Sequence, residues 1–466
     1  MIKKKRAIVW LRRDLRLSDH RAFFEATQHA EEVLPVFIID ENILGELQKD
    51  NRQVSFIQAS LDEMDVELRK KGSRLAVICG KPLEVLPKLA ESLEVSAVYL
   101  NRDYEPFAKE RDLKMQDVLA KANIQMHVFK DQVIFEEREI LNGSKEPYRV
   151  FTPYSKNWLK RMETEREVLL KEYTPNFKKL IPASSYSVKN AQFSDLGFKT
   201  VELYIAPGEK AAKKQLEKFA AFIADYTEAR DYPAIDGTSR LSPHLRFGTL
   251  SIREAVRFCL EHLSKGSRTW LSELIWREFY QMILDQFPHV VNGAFKKDYT
   301  KLDWSENKDH FKAWCEGKTG YPLVDAAMRQ LNETGWMHNR LRMVTAMFLT
   351  KDLLINWQWG EAYFAEQLLD CEVASNNGGW QWSASTGCDA QPYFRVMNPI
   401  SQSERFDASG EFIRKFVPEL KKYDSKNIHW PHDDKKLNPS SVGYFSPLVD
   451  HSTQRIKAIS MFKKTK

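Results

Sequence analysis

Short apolar runs alternate with amphipathic stretches over the first 130 residues of this 466-residue chain. The apolar runs have the length of buried strands, and the stretches between them carry helical spacing. This alternation predicts an α/β domain with a parallel, Rossmann-like sheet over residues 1–130. Strands are expected at 7–11, 33–39, 74–79, 96–100 and 124–129, with helices near 19–30, 52–71, 82–94 and 106–122.

The periodicity changes twice after residue 130. Over residues 131–205 it weakens, and prolines at 147, 153, 175 and 182 interrupt the pattern, which indicates an interdomain connector. From 206 to 466 the apolar spacing is helical almost throughout, which predicts an all-α second domain. A chain of this length exceeds one ordinary core, so two domains are expected.

Composition narrows the functional classes. No apolar run approaches the roughly 20 residues needed to cross a bilayer, so we expect a cytoplasmic protein without membrane association. The five cysteines form no CxxC and no metal-ligand spacing with histidine, so we expect reduced thiols and no metal site. A net charge of +6 permits a phosphate-rich partner. Ten of the 12 tryptophans follow residue 260, where they form either an aromatic core or a site.

One candidate phosphate site is the stretch DGTSRLSPHLRFGTLS at residues 236–251. Ser242 and Pro243 suit a helix start, with Ser242 as the N-cap and proline at the first helical position. Hydroxyl groups and Arg240 beside such a helix start suit a phosphate or pyrophosphate. An ordinary capped helix is an equally good interpretation of this stretch alone.

A second stretch, WLSELIWREFYQMIL at 270–284, predicts a helix with two unlike faces. Leu271, Leu274, Ile275 and Met282 supply the buried stripe. The other face carries a carboxylate, an arginine and two aromatic rings at i, i+3, i+4 and i+7, which are Glu273, Trp276, Arg277 and Tyr280. This face is either a binding site or a surface salt-bridge face, and its aromatic residues favour a site.

The third stretch, GWMHNRLRMVTAMFL at 335–349, presents Trp336, Asn339 and Met343 on one face with Arg342 beside them. The arginines of this helix could meet nucleic-acid phosphates, or one could pair with Asp370. A lone His338 is interpreted as structural.

The fourth stretch, ASNNGGWQWS at 374–383, places two tryptophans behind two amides and two glycines. Neither a buried core nor a solvent loop needs that combination. The glycines are expected to let the backbone approach a ligand closely.

These stretches together resemble the DNA photolyase/cryptochrome family, and within it the class I photolyases that act on cyclobutane pyrimidine dimers. The resemblance covers nearly the whole chain. Its motifs are WLRRDLRLSDH, TSRLSP, WREFY, GKTGYPLVDAAMRQL, MHNRLRM and NNGGWQW, in that order.

The resemblance implies a monomeric flavoprotein with FAD folded into a U in the helical domain and UV-damaged DNA as partner. Reduced, photoexcited flavin would pass an electron to a flipped-out dimer, the cyclobutane ring would split, and the electron would return. By the same resemblance, the anionic form of reduced flavin would be the active one, and the side chain of Asn376 would stabilise it. Such chemistry needs no protein nucleophile or metal.

The family's functional residues carry over by motif. Cofactor contacts are implied for Tyr226, Thr238, Ser239, Arg240, Leu241, Ser242, Trp270, Glu273, Arg277, Trp336, Asn339, Arg342, Asp370, Glu372 and Asn376. Catalytic roles around the dimer are implied for Glu273, Trp276, Met343, Asn376 and Trp382, and DNA contacts for Glu273, Trp276, Arg277, Tyr280, Asn339 and Arg340. An electron relay to the surface is implied for Trp380, Trp357 and Trp304.

The chain departs from the family pattern at several positions. Glu372 stands where Asp is common, and Phe107-Ala108 stands where folate-antenna relatives carry Asn-Glu. The N-terminal domain is more similar to deazaflavin-antenna relatives, which implies a second chromophore of that class rather than folate, although Gln53 replaces an arginine common in them. The implied antenna residues are Phe37, Asp40, Asp103, Glu105 and Arg246.

Two alternatives remain at this stage. A (6-4) photolyase would need a histidine where this chain has Met343. A blue-light cryptochrome often replaces the residue matching Asn376 by Asp or Cys, and often carries a long disordered tail.

Overall fold

Five parallel strands form the N-terminal sheet in the computed structural model, which describes residues 5–45, 47–136, 138–186, 188, 190–434 and 437–465. The predicted strands and helices are confirmed, and one short helix, α2, is added. The strands are β1 Arg6–Leu11, β2 Glu32–Asp40, β3 Ala76–Gly80, β4 Val95–Asn101 and β5 Gln125–Phe129. The helices are α1 Arg21–His29, α2 Glu41–Leu44, α3 Arg52–Arg69, α4 Pro82–Ser92 and α5 Pro106–Lys121.

The sheet order is β3-β2-β1-β4-β5, so the chain reverses its direction across the sheet between β3 and β4. At such a reversal the carboxyl ends of β1 and β4 leave a crevice, where α/β proteins commonly bind ligands. The residues that follow β1 and β4 therefore occupy the edge of the sheet that can receive a ligand or a second domain.

The connector contains a 19-residue helix, α6 Phe151–Leu169, that the weak periodicity did not predict. Its buried residues are Phe151, Tyr154, Trp158 and Met162. Pro153 lies in its first turn, where proline is tolerated. The prolines at 147 and 175 lie outside the helix. The prolines therefore correctly indicated irregular chain on either side of α6, but they did not exclude a helix between them.

The second domain is helical, as predicted. Its helices are α7 Glu209–Ala220, α8 Tyr226–Ala229, α9 Ser242–Phe247, α10 Ile252–Glu261, α11 Lys265–Gln286, α12 Lys308–Cys315, α13 Pro322–Thr334, α14 Asn339–Met347, α15 Trp357–Gln367, α16 Val373–Ala384, α17 Pro399–Phe406, α18 Glu411–Phe416 and α19 His451–Lys464, and a π-helical turn spans Phe348–Asp352. None of the described helices is long and apolar enough to cross a membrane.

Glu278 of α11 fastens the connector to the helical domain. Its buried carboxyl group accepts hydrogen bonds from the Ile134 amide at 2.7 Å and from Trp158 Nε1 at 2.6 Å. Burial raises the pKa of Glu278 to about 7, although these hydrogen bonds lower it. The carboxyl group therefore holds both the chain before α6 and the middle of α6.

The loop after β1, residues 12–20, joins the two domains through buried ion pairs. Arg16 binds Asp131 at 2.6 Å, and Arg253 of α10 binds Asp131 at 2.7 Å and Asp19 at 2.9 Å. Burial on its own raises the pKa of Asp19, but Arg253 and Arg16 more than offset it and the pKa lies below its usual range. We call this loop the β1–α1 loop.

The end of α9 packs directly against the β1–α1 loop. Gly248, which caps α9 with φ of 65°, has no room for a side chain, because an added Cβ would lie 2.2 Å from the carbonyl oxygen of Arg13. The amide of Leu15 donates to the Phe247 carbonyl at 3.0 Å, and the rings of Phe56 and Phe247 stack 5.0 Å apart. The domain interface is thus close-packed at backbone level.

We predict that Gly248→Ala destabilises the protein by about 2–5 kcal/mol, since it adds left-handed strain to overpacking. The matched control is Gly443→Ala, which has φ of 82° and nothing within 4 Å of an added Cβ. This control carries strain alone and should cost about 1–2 kcal/mol. Denaturant unfolding measures both, and equal losses in the two variants would contradict the close interface.

Candidate functional site

The predicted polar face of α11 forms as expected. Glu273 pairs with Arg230, and both line an open cavity of about 530 Å³. Trp276 is half-buried because Phe151 of α6 stacks on its ring at 3.7 Å with an interplanar angle of 8°. The Tyr280 ring lies 5.5 Å from that of Trp276. The connector helix α6 thus contributes an aromatic ring, Phe151, to the group formed by Trp276 and Tyr280.

Helix α14 carries the second group of predicted residues. Arg342 Nη2 lies 2.8 and 3.1 Å from the two carboxylate oxygens of Asp370, so the predicted ion pair is present. Arg340 pairs with Asp231 at 2.7 Å, and Asn339 is exposed with its amide nitrogen 3.9 Å from Met343 Sδ. His338 caps α14 by accepting the Arg340 amide hydrogen at 3.1 Å, which agrees with its structural interpretation.

The ASNNGGWQWS stretch forms most of helix α16, and its two amides have different partners. Asn376 Nδ2 donates to the Glu361 backbone carbonyl at 3.0 Å. Asn377 Nδ2 donates to the Val290 carbonyl at 3.0 Å and to Glu361 Oε1 at 2.9 Å. Burial raises the pKa of Glu361 to about 7. Asn377 is therefore a packing residue, whereas Asn376 is half-buried with its amide group held in one orientation.

The two glycines of α16 also differ. A Cβ on Gly378 would lie 2.2 Å from the Tyr280 ring, so this glycine makes room for protein and its predicted role at a ligand is wrong. A Cβ on Gly379 would meet nothing within 4 Å. Asn376, Gly379 and Trp382 follow each other at three-residue intervals along one side of the helix. We call this stripe the α16 open face, and it leaves room for a flat ligand against the backbone.

The predicted phosphate loop differs from expectation at its cap. Ser242 is the first residue of α9 rather than its N-cap, which is Leu241, and no side chain caps this end. Arg240 has φ of 52°, an unusual conformation for a non-glycine residue. Its guanidinium group pairs with Asp236 at 3.0 Å and donates to the Tyr204 hydroxyl at 2.7 Å.

The remaining cofactor candidates near this loop are positioned by packing. Gln215 Nε2 donates to the Ser239 carbonyl at 2.9 Å, which holds the loop on α7. Tyr226 and Trp270 are buried in one hydrophobic cluster, and Trp336 is buried in a cluster shared with the α/β domain. Thr238 is half-buried beside Ser239.

Glu372, at the N-terminus of α16, is surrounded by protein donors. Its Oε1 lies 2.6 Å from Arg13, 2.8 Å from Arg277 and 2.9 Å from Gln281. Burial alone raises the pKa of Glu372, but Arg277 and Arg13 reverse the effect and lower it to about 2. The longer side chain, where Asp is common, is thus used to reach Arg13 of the α/β domain.

The three predicted relay tryptophans belong to one hydrophobic cluster. Trp380 and Trp357 are buried in it, and Trp304 packs against it as a half-buried residue. Trp380 also contacts Phe364, at a ring distance of 5.0 Å, and Trp314, at 6.0 Å. The cluster therefore extends from α16, the helix that carries the open face, to the partly exposed indole of Trp304.

The five antenna candidates lie around the carboxyl edge of the sheet. Asp103 and Glu105 pair with Arg13 at 3.1 and 2.8 Å. Among the described residues, Asp40 Oδ2 and Arg246 Nη1 are buried polar atoms with no hydrogen-bond partner, and Phe37 lies on β2 facing the core. Gln53 donates to the Leu368 carbonyl at 2.9 Å, so it serves the domain interface.

Comparison with known proteins places these features in one family. The model for the FAD binding domain of DNA photolyase matches residues 270–464, and the DNA photolyase model matches residues 7–174. The deoxyribodipyrimidine photo-lyase of Vibrio cholerae is 39% identical over 98% of this chain and 99% of that protein. This chain belongs to the DNA photolyase family.

Solved structures of photolyases share the whole fold. A bacterial class III photolyase from Agrobacterium tumefaciens superposes with a TM-score of 0.90 at 33% identity, covering 100% of this chain and 98% of that one. An archaeal photolyase from Sulfolobus tokodaii, solved with two FAD molecules, gives 0.85 at 35% identity, covering 98% and 100%.

The photolyase FAD-domain match contains the polar face of α11, all of α14 and the α16 open face. Three residues that contact this site were not identified from the sequence, namely Glu361 and Gln281 within the match and Arg13 in the α/β domain. Glu361 orients Asn376 through a backbone carbonyl, which no sequence pattern reveals. Gln281 is four residues after Arg277 on α11, so helical spacing could have identified it.

We predict opposite effects for the two adjacent glycines of α16. Gly379→Ala should stabilise the apoprotein by about 0.5–1 kcal/mol, since alanine favours a helix, yet weaken FAD binding at least tenfold because it fills the open face. Gly378→Ala should destabilise the apoprotein by about 1–3 kcal/mol through its clash with Tyr280. Thermal unfolding and flavin-fluorescence titration measure the two quantities. Undiminished FAD affinity in Gly379→Ala would exclude this face as the flavin site.

Proposed function

We propose that this protein is a light-driven DNA repair enzyme that splits cyclobutane pyrimidine dimers. The observation that carries the proposal is the α16 open face. There Asn376 and Trp382 flank Gly379, where an added Cβ would meet nothing within 4 Å. This face lies within the region that matches the FAD binding domain of DNA photolyase. The full-length similarity to a deoxyribodipyrimidine photo-lyase supports the same reaction.

The described residues fit FAD as the cofactor. The open backbone at Gly379 admits a flat ring, and the Arg342–Asp370 pair and the oriented Asn376 amide offer polar groups in the same domain. We assign the phosphate side to the uncapped start of α9 and its neighbours, namely Tyr226, Thr238, Ser239, Arg240, Leu241 and Ser242. When bound and reduced, FAD supplies the photoexcited electron that opens the cyclobutane ring.

The protein's own residues then bind and orient the lesion. Trp276 and Trp382 provide aromatic surfaces, and base stacking on such surfaces is worth about 1–3 kcal/mol per base. Extruding a base from the duplex costs a few kcal/mol, and less for a damaged base. Glu273 and Asn339 offer hydrogen bonds, and Arg340 offers a positive charge for the DNA backbone. Damaged DNA is therefore extruded more easily than intact DNA.

Met343 favours the cyclobutane dimer over the (6-4) product. A thioether cannot act as the acid that the (6-4) reaction needs, whereas it packs well against an apolar ring. The retained Asn376 likewise favours repair over a cryptochrome role. We also propose that the enzyme works as a monomer in the cytoplasm, where its five free thiols stay reduced.

We further propose a second, light-gathering chromophore of the deazaflavin class at the carboxyl edge of the sheet. The unpartnered atoms of Asp40 and Arg246 support it, because a buried carboxylate oxygen and a buried guanidinium nitrogen need hydrogen-bond partners. Phe37, Asp103 and Glu105 complete the assigned set. The related Sulfolobus tokodaii photolyase, solved with two FAD molecules, supports the proposal of a second chromophore.

The direct test of repair is the loss of thymine dimers from DNA incubated with the reduced protein. We expect dimers to disappear under blue or near-UV light and to persist in the dark, as followed by chromatography. Binding should weaken with added salt, because phosphate contacts release counterions. Persistence of dimers under illumination would refute the enzyme proposal.

For the relay, we expect Trp380→Phe to block photoreduction of the bound flavin while sparing repair by protein that is reduced beforehand. Phenylalanine keeps the packing but removes the readily oxidised indole. The matched control is Trp314→Phe, because Trp314 is buried in the same cluster and contacts Trp380. Flavin absorbance under light with an external reductant measures the rate. Unchanged photoreduction in Trp380→Phe would disprove the assignment.

A further inference from the structure

We propose that Arg13, although it belongs to the α/β domain, is a positioning residue for the flavin site of the helical domain. It acts through Glu372 and, together with Glu105, holds the N-terminus of α16. This inference rests on the proposed function, since it concerns the same flavin. We refer to Arg13, Asp103, Glu105, Arg277 and Glu372 as the Arg13 cluster.

Arg13 bridges the two domains with all three of its guanidinium nitrogens. Nη2 binds Glu372 at 2.6 Å, Nη1 binds Glu105 at 2.8 Å and Asp103 at 3.1 Å, and Nε donates to the Arg246 carbonyl at 3.3 Å. The Arg13 side chain is 10% exposed and that of Glu372 is 5% exposed. Water screens such pairs weakly, so they interact far more strongly than surface pairs.

The N-terminus of α16 is held from both domains. The carboxylate of Glu105 accepts the amide hydrogen of Val373, the first residue of α16, at 3.3 Å. The carbonyl of Glu372 accepts the amide hydrogen of Asn376 at 2.9 Å, and its Oε2 accepts the Ser375 hydroxyl at 3.1 Å. Any displacement of Glu372 or Glu105 therefore moves the helical turn that carries Asn376.

The charges of this region balance. Glu372, Glu105 and Asp103 are negative, and Arg13, Arg277 and Arg246 are positive, with Arg246 3.8 Å from Glu105. Removal of Arg13 leaves one uncompensated buried carboxylate beside the first turn of α16. Added negative charge there disfavours an anionic reduced flavin, so the flavin becomes harder to reduce. Removal of one carboxylate has the opposite effect.

The test uses three variants of the full-length flavoprotein. Arg13→Met removes the charge but keeps an unbranched apolar side chain, and Glu105→Gln removes a carboxylate but keeps a hydrogen-bond acceptor. Arg329→Met is the control, because Arg329 is a half-buried arginine of α13 that pairs with Glu419 at 2.8 Å, outside the Arg13 cluster. Spectroelectrochemical titration of the flavin gives the midpoint potential, and thermal unfolding gives stability.

We expect Arg13→Met to shift the reduced-to-oxidised ratio at least tenfold towards oxidised flavin, a change of about 30 mV for two electrons. Glu105→Gln should shift the potential in the opposite direction, and Arg329→Met should leave it unchanged even where it lowers stability. If the two residues have a purely structural role, the midpoint potentials of Arg13→Met and Glu105→Gln will shift in the same direction or not at all. That result would overturn the proposal. If Arg13→Met fails to fold, Glu105→Gln decides by its sign. Failure of the unmodified protein to bind FAD would instead refute the proposed function.

Discussion

The structure depends on burying the charged β1–α1 loop between two domains. Arg16, Asp19, Asp131 and Arg253 are all under 5% exposed, and each lies within ion-pair distance of an opposite charge. Removing such charges from water costs several kcal/mol per ion, and only complete pairing offsets the cost. The pairs form only when both domains are in one relative position, so the loop specifies that position. Gly248 adds a steric condition, since its backbone touches that of Arg13.

This fixed orientation connects the N-terminal domain to the proposed flavin site. Helix α16 carries Asn376, Trp380 and Trp382. At its N-terminus Glu105 accepts the Val373 amide hydrogen, and Arg13 forms an ion pair with Glu372. The hydrophobic cluster that contains the relay tryptophans packs on the same helix through Trp380. A single helix therefore connects the domain interface, the proposed flavin-ring face and the proposed electron relay to the surface. The position of this helix depends on contacts with the α/β domain.

Much of the fold follows from local pattern. The strands were predictable because buried parallel strands are continuous apolar runs, and α11 and α14 because their polar and apolar faces separate cleanly. The buried residues of helix α6 recur every three or four residues, but they form a narrow stripe on a mostly polar helix beside several prolines, and the helix was therefore missed. Tertiary contacts such as Trp158 to Glu278 stabilise it. Ser242 fits a cap by residue type, yet the backbone begins the helix one residue earlier than a serine cap requires.

The site was predictable in its residues but not in all their roles. Motifs identified Asn376, Glu372 and the Arg342–Asp370 pair. No motif separates Gly378 from Gly379, because the difference is the Tyr280 ring on a helix some hundred residues earlier. Likewise Arg13 and Glu372 are 359 residues apart in sequence, and only the folded chain brings them together. Sequence patterns cannot identify contacts between residues this far apart in the chain.

The most direct test of domain coupling is amide hydrogen exchange with and without FAD, compared between the β1–α1 loop and α16. The Leu15 amide, which bonds across the interface to Phe247, and the Asn376 amide, which bonds to Glu372, report the two sides. FAD should slow exchange in both segments, because the α/β domain holds the proposed flavin-binding helix α16. Slowing confined to α16, with exchange in residues 12–20 unchanged, would contradict the claim that the two domains form one site.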